Sequence, residues 1–161
     1  MRKGAEILRS QVGKKLRGGL FQSFYFDDEL VDNINVLFLK FEMWIHITTT
    51  DETAILEVQE EKPKQIIGWT DDDGVKFEYP LTDLSEKFNE FNNYVDLELT
   101  GFTELVDKEF EGKVCGLKFQ FENGLSLTTY SNSEDETFIL FNGEILDDLK
   151  EKTMPNNSYK P

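Results

Sequence analysis

The sequence predicts an α+β fold that is β-rich. Two copies of an antiparallel β-hairpin or meander unit form a curved sheet or roll, with one amphipathic helix near residues 81–93 packed on it. Three observations predict this. Runs of period-two apolar alternation recur between turn residues along most of the chain. Residues 37–50, LFLKFEMWIHITTT, realign at an offset of 80 with residues 117–130, LKFQFENGLSLTTY; after four further residues, 131–134, DETAIL at 51–56 realigns with DETFIL at 135–140. Identities fall at 10 of these 20 positions, where unrelated segments share about one or two. Third, Leu81, Leu84, Phe88 and Phe91 fall three or four residues apart, the spacing of one helix face.

Taken in order, residues up to Arg17 form a short basic helix or a leading strand, since Gly13, Gly18 and Gly19 oppose a long helix. The first copy spans about 12–56, and Met43-Trp44 stands at its hairpin tip. A connecting segment, 57–98, contains two strands, 65–70 and 75–79, around the turn Asp71-Asp72-Asp73-Gly74, followed by the helix, capped at Thr82 or Asp83. The second copy spans about 100–141. Its tip is Asn123-Gly124, which predicts a two-residue type I′ turn, and Asn142-Gly143 predicts another hairpin, running on into 144–146. Residues 155–161 read as a frayed tail.

A length of 161 residues predicts one domain. The apolar fraction is 39%, with 14 Phe, 5 Tyr and 2 Trp, which excludes a disordered chain. Cys115 is the only cysteine, so no intramolecular disulfide can form, and its parity with Leu117 and Phe119 predicts a core side chain. Neither an apolar leader nor a run of about 18 apolar residues is present, which predicts a cytoplasmic protein without a membrane partner.

Catalytic hardware is sparse. His46 is the only histidine, so no His-His metal pair exists, and no nucleophile elbow or Gly-rich phosphate loop occurs. The Asp71–Gly74 run lacks the alternate acids of a calcium loop, and Pro80 stands where that loop needs its glutamate. The reading is therefore a protein that is not an enzyme and needs no cofactor or metal.

Charge supplies the functional expectation. The net charge is −15, yet residues 1–19 hold six cations against one acid. The acidic remainder repels phosphate backbones, which argues against nucleic acid, and attracts basic proteins. The first hairpin carries Phe38, Met43, Trp44 and His46 where its twin carries Lys118, Asn123, Gly124 and Ser126. Asp27, Asp28, Glu29 and Asp32 precede this hairpin, and Glu57, Glu60 and Glu61 follow it. Aromatics ringed by acids predict a surface for a basic partner, unless the connecting segment covers the aromatics within the monomer.

The run GLKFQFENGLSL at 116–127, closed by an acidic Asp-Glu-Thr turn, resembles the hairpins of small acidic immunity proteins in bacterial polymorphic and contact-dependent toxin systems. The resemblance covers about a quarter of the chain. It implies stoichiometric inhibition of a cognate toxin domain, often a basic nuclease, and transfers no residue roles. The alternative reading is a small-molecule-binding β-rich module, with a pocket between sheet and helix. A nucleic-acid binder using residues 1–19 as a basic arm and a hydrolase are the remaining readings.

Overall fold

The computed structural model describes residues 4–50, 53–108, 113–132, 134, 136–144 and 149–152. The predicted tail at 155–161, together with Asp51, Glu52, Asp147 and Asp148, lies outside them. An N-terminal helix, α1 (Gly4–Gln11), is followed by a four-stranded meander: β1 (Gly18–Phe26), β2 (Glu29–Lys40), β3 (Trp44–Thr49) and β4 (Ala54–Gln59). Next come the hairpin strands β5 (Ile66–Thr70) and β6 (Lys76–Tyr79), a short β7 (Leu81–Asp83), one turn of helix α2 (Leu84–Lys87) and a 3₁₀ turn (Asn89–Asn93). A second meander follows: β8 (Leu99–Asp107), β9 (Val114–Phe121), β10 (Ser126–Ser131) and β11 (Thr137–Phe141), with β12 (Leu149–Lys152) last.

Two antiparallel sheets result, one of them curled into a half-barrel. The first has strand order β4-β3-β2-β1-β6-β5, with β7 also on β1; the second has order β11-β10-β9-β8-β12. The segments that the sequence aligns are thus both up-and-down meanders, each pairing only sequence neighbours. Alternation on the first sheet directs Phe21, Leu37, Leu39, Ile45 and Ile47 into the main core, where they meet Leu117, Phe119, Phe121 and Leu127 of the second. Between the sheets, the buried hydroxyls of Thr49, Ser131 and Thr137 satisfy one another, with Ser131 Oγ 3.0 Å from each threonine oxygen. Paired hydroxyls avoid the penalty of unpartnered polar burial.

The predicted helix at 81–93 is realised as separate pieces. Leu81–Asp83 stays extended because it pairs with Leu20–Gln22 of β1. Asp83 then caps α2, accepting from the Ser85 amide at 2.9 Å. Phe88 is extended again (φ −124°, ψ 97°), and Asn89, Asn92 and Asn93, which favour turns, take the chain into the 3₁₀ segment. Leu84, Phe88 and Phe91 still pack on the main core as the spacing implies, but Leu81 joins a different cluster.

The turns also differ from expectation. The type I′ geometry belongs to Asp27-Asp28, both at positive φ (50° and 63°), between β1 and β2. At the second-copy tip only Gly124 has positive φ (82°). The Gly124 amide donates to Phe121 O and the Phe121 amide to Leu125 O, a three-residue loop ending in a left-handed glycine. The return strand expected after Asn142-Gly143 falls largely outside the described residues; the next described strand, β12, pairs with β8 at the opposite edge of the sheet. Cys115 is buried, but as an extra residue between the pairs Leu105↔Gly116 and Val106↔Val114. That bulge turns it toward Leu105, Tyr130 and Leu149, away from Leu117 and Phe119. Asp71–Gly74 forms the expected turn, with Asp71 Oδ1 accepting from the Asp73 and Val75 amides.

Candidate partner-binding surface

The residues expected to form one patch occupy three places. Phe38, Trp44, His46 and Glu57 lie together on the face of the first sheet that turns away from the main core. There Phe38 pairs with His46, and His46 with Glu57. Trp44 is not at the hairpin tip: the turn is Phe41-Glu42-Met43, closed by the Phe41 amide on Met43 O, and Trp44 opens β3 opposite Lys40. Three turn residues suffice to reverse the chain, so Trp44 needs no strained φ. Met43 is half-buried in that turn.

Phe38 and Trp44 are buried within the monomer. With Leu20, Val36 and Leu81 they make a second, smaller apolar cluster, and Trp44 keeps only 8% exposure. Of the connecting segment, Leu81 contributes to the cover, whereas Trp69 stacks elsewhere. Lys40 reaches over the Trp44 ring, its Nζ 5.8 Å from the centroid.

His46 packs at a tilt against Phe38, ring centroids 4.9 Å apart, with Nδ1 3.7 Å from the Glu57 carboxylate and Nε2 3.4 Å from the Thr48 hydroxyl. Burial holds its pKa below the ordinary 6.5, against the opposing pull of Glu57. The folded state therefore disfavours the imidazolium. Stability is full above about pH 6.5, where both states carry a neutral ring, and falls as pH drops from there to the lowered folded pKa. Urea midpoints measured between about pH 5 and 8 should show this decline, and His46→Gln should flatten it.

The acids Asp27, Asp28, Glu29 and Asp32 sit at the far end of β2 from Trp44. That strand has 12 residues, so at about 3.3 Å per residue its ends are roughly 35 Å apart. Glu60 and Glu61 leave β4 exposed, and Glu61 pairs with Lys64 at 3.1 Å. Asp32 is committed locally, accepting from the Ile34 amide where β2 bulges.

A different set of aromatics meets the first acid group. Leu20↔Asp83 and Gln22↔Leu81 continue without a shift into Tyr25↔Glu78 and Phe26↔Phe77, so β7 and β6 are one strand interrupted at Pro80. Proline lacks an amide donor, but its carbonyl still accepts from the Ser23 amide at 3.0 Å. Gln65 bridges the interruption, accepting from the Leu81 amide and donating to Tyr79 O. This register stacks Phe24 on Tyr79 (5.1 Å) and sets Phe26 edge-on to Phe77 (5.4 Å). Trp69 then lies flat against both Phe77 (5.1 Å) and Tyr79 (5.5 Å).

Trp69 is 50% exposed and Phe26 43%. Asp27-Asp28 borders this platform on one side, tied to it by the Asp27 amide on Lys76 O and the 2.8 Å Lys76–Asp28 ion pair. Asp71, Asp72 and Asp73 border it at the hairpin tip. Lys76 also pairs with Glu78 at 3.2 Å, and its hydrogen bonds to Asp28 and Glu78 raise its pKa. The sequence carried a signal for this platform: Phe24 and Phe26, Phe77 and Tyr79 each alternate across strands flanking the acidic turns. Cross-strand pairing was the missing information.

No family model matches the chain, and no curated protein or solved structure matches it. Among the described residues, no group of three or more His, Cys, Asp or Glu side chains could hold a metal ion. No helix among them is long and apolar enough to cross a membrane.

Proposed function

We propose that this chain is a non-catalytic binding protein of the immunity type, which holds a basic toxin domain against an acidic, aromatic-centred surface in the cytoplasm. The observation that carries the reading is the half-exposed stack of Phe26, Trp69, Phe77 and Tyr79 bordered by Asp27, Asp28 and Asp71–Asp73. Rigid aromatics at the centre and charge at the rim concentrate binding energy while excluding water. A net charge of −15 would steer a basic partner and raise its association rate above the roughly 10⁵ to 10⁶ M⁻¹s⁻¹ of neutral pairs.

The neighbouring upstream gene supplies the test. It should encode a secreted protein ending in a basic domain. Co-expression should relieve that domain's toxicity and yield a stoichiometric complex whose association slows steeply with salt. A basic domain from that locus that neither binds nor is neutralised overturns the reading.

A second reading rests on a cleft of about 310 Å³ between the start of β2 and β11, lined by Leu30, Val31, Phe88, Phe138 and Ile139, with Asp32 and Glu136 at its polar side. This is the low end of small-molecule sites. A thermal-shift screen in which small amphipathic cations raise the melting temperature, and a Phe138→Ala variant loses the effect, would favour it.

A further inference from the structure

Among the described residues, strand β5 is an outer strand of the first sheet, hydrogen-bonded only to β6. Its five residues, Ile66-Ile67-Gly68-Trp69-Thr70, carry no charge and are all exposed, Ile67 at 87%. The other outer strands carry charge or burial, the half-buried β7 with Asp83 included, although Ile55 and Val58 stay exposed on β4. β4 carries Glu57, β12 reads Leu-Lys-Glu-Lys, and β11 is largely half-buried. Charge, burial, covering and bulges are how sheets blunt open edges; β5 has only a bulge at Ile67-Gly68, and its uncharged apolar edge stays open as a template for another strand. Gln65 anchors the start of β5 and the Asp71 turn anchors its end, which keeps the strand extended without an outer neighbour.

We infer that the β5 edge captures an extended basic peptide segment by strand addition. The argument for this occupant is charge. Glu60 and Glu61 lie before the strand with Lys62 beside them, and Asp71, Asp72 and Asp73 after it; Lys64 and Lys76 are engaged by Glu61, Asp28 and Glu78, so acids outnumber cations across the two flanks together. An added strand carrying Lys or Arg at alternate positions would set those cations near the exposed Trp69 ring and toward the aspartates. Its backbone would pair with the open edge of β5. A second copy of this chain would instead bring −15 against −15. The inference rests on the proposed basic partner and locates its contact on one strand.

The probe is a ten-residue peptide alternating Arg and Val, titrated by fluorescence anisotropy at low salt. Three controls accompany it: the same peptide N-methylated at alternate amides, a Glu-for-Arg version, and the protein variants Ile67→Lys and Trp69→Ala. Saturable 1:1 binding is expected, weakened at least tenfold by N-methylation and by either substitution, and absent with glutamate. Both substituted side chains are exposed, and circular dichroism would confirm that the variants fold.

Binding indifferent to N-methylation, or unchanged in Ile67→Lys, overturns strand addition. So does a dimer of the protein alone that Ile67→Lys dissolves. If the basic toxin domain binds Ile67→Lys with unchanged affinity but Trp69→Ala more weakly, strand addition fails and the proposed function stands; unchanged affinity for both overturns both. If no basic domain binds the unmodified protein, that reading fails first.

Discussion

Trp44→Ala should destabilise the protein by about 3 kcal/mol, whereas Trp69→Ala should cost under about 1 kcal/mol. The two tryptophans stand on the same first sheet and differ in what surrounds them. Trp44 is enclosed by Leu20, Val36, Phe38 and Leu81, so truncation removes a buried indole and leaves a cavity whose walls are themselves in strands and cannot collapse. Trp69 already meets water over half its surface, and its loss leaves Phe77 and Tyr79 still paired to β1 and β5. For a chain of this length, about 3 kcal/mol corresponds to a melting-temperature drop of roughly 6–12 °C. Thermal unfolding followed by circular dichroism reads both. Equal losses would mean that the Trp69 platform is part of the core, and the proposed binding surface would lose its centre.

This contrast shows what the sequence made legible. Period-two alternation was enough to place β1–β4 and β8–β11 as meanders, because alternation reports the burial of one face whatever lies on the other. Alternation does not report which of two apolar faces is covered. Phe38 and Trp44 looked like an exposed patch because their positions in the twin hairpin hold polar residues. In the fold, Leu20 and Leu81 arrive from strands 24 and 37 residues away in number from Trp44 to shield them. Of the expected acids, Asp27 and Asp28 border a different group of aromatics, Phe26, Trp69, Phe77 and Tyr79. Their juxtaposition depends on the register of β1 with β6 and β7, which crosses the whole of β2, β3 and β4. Local spacing also misread 81–93, since strand pairing with β1 overrode a helical pattern of only four apolar residues.

Gly116→Ala should prove the most damaging of the conservative substitutions, costing about 3 kcal/mol, the upper end of overpacking changes. A Cβ at Gly116 would lie 2.5 Å from both Thr129 O and Tyr130 Cβ, and 2.8 Å from Tyr130 Cα. Gly116 and Tyr130 are direct partners in the β9–β10 ladder, so the obstruction is largely the neighbouring strand's own backbone. No rotamer change relieves it; the two strands must separate or twist. The adjacent Cys115 bulge already shifts the register between β8 and β9, and the added methyl would force the same stretch of β9 out of line with β10 as well. Gly101→Ala provides the comparison, because its Cβ would meet only the tip of the Gln120 side chain at 3.3 Å, which can swing away. That variant should stay within about 0.5 kcal/mol of the parent, the lost glycine freedom in the unfolded chain offsetting a mild contact. Urea midpoints at constant slope separate the two. If Gly116→Ala unfolds no earlier than Gly101→Ala, the β9–β10 approach is looser than this geometry, and the placement of Tyr130 and Cys115 beside it must be revised with it.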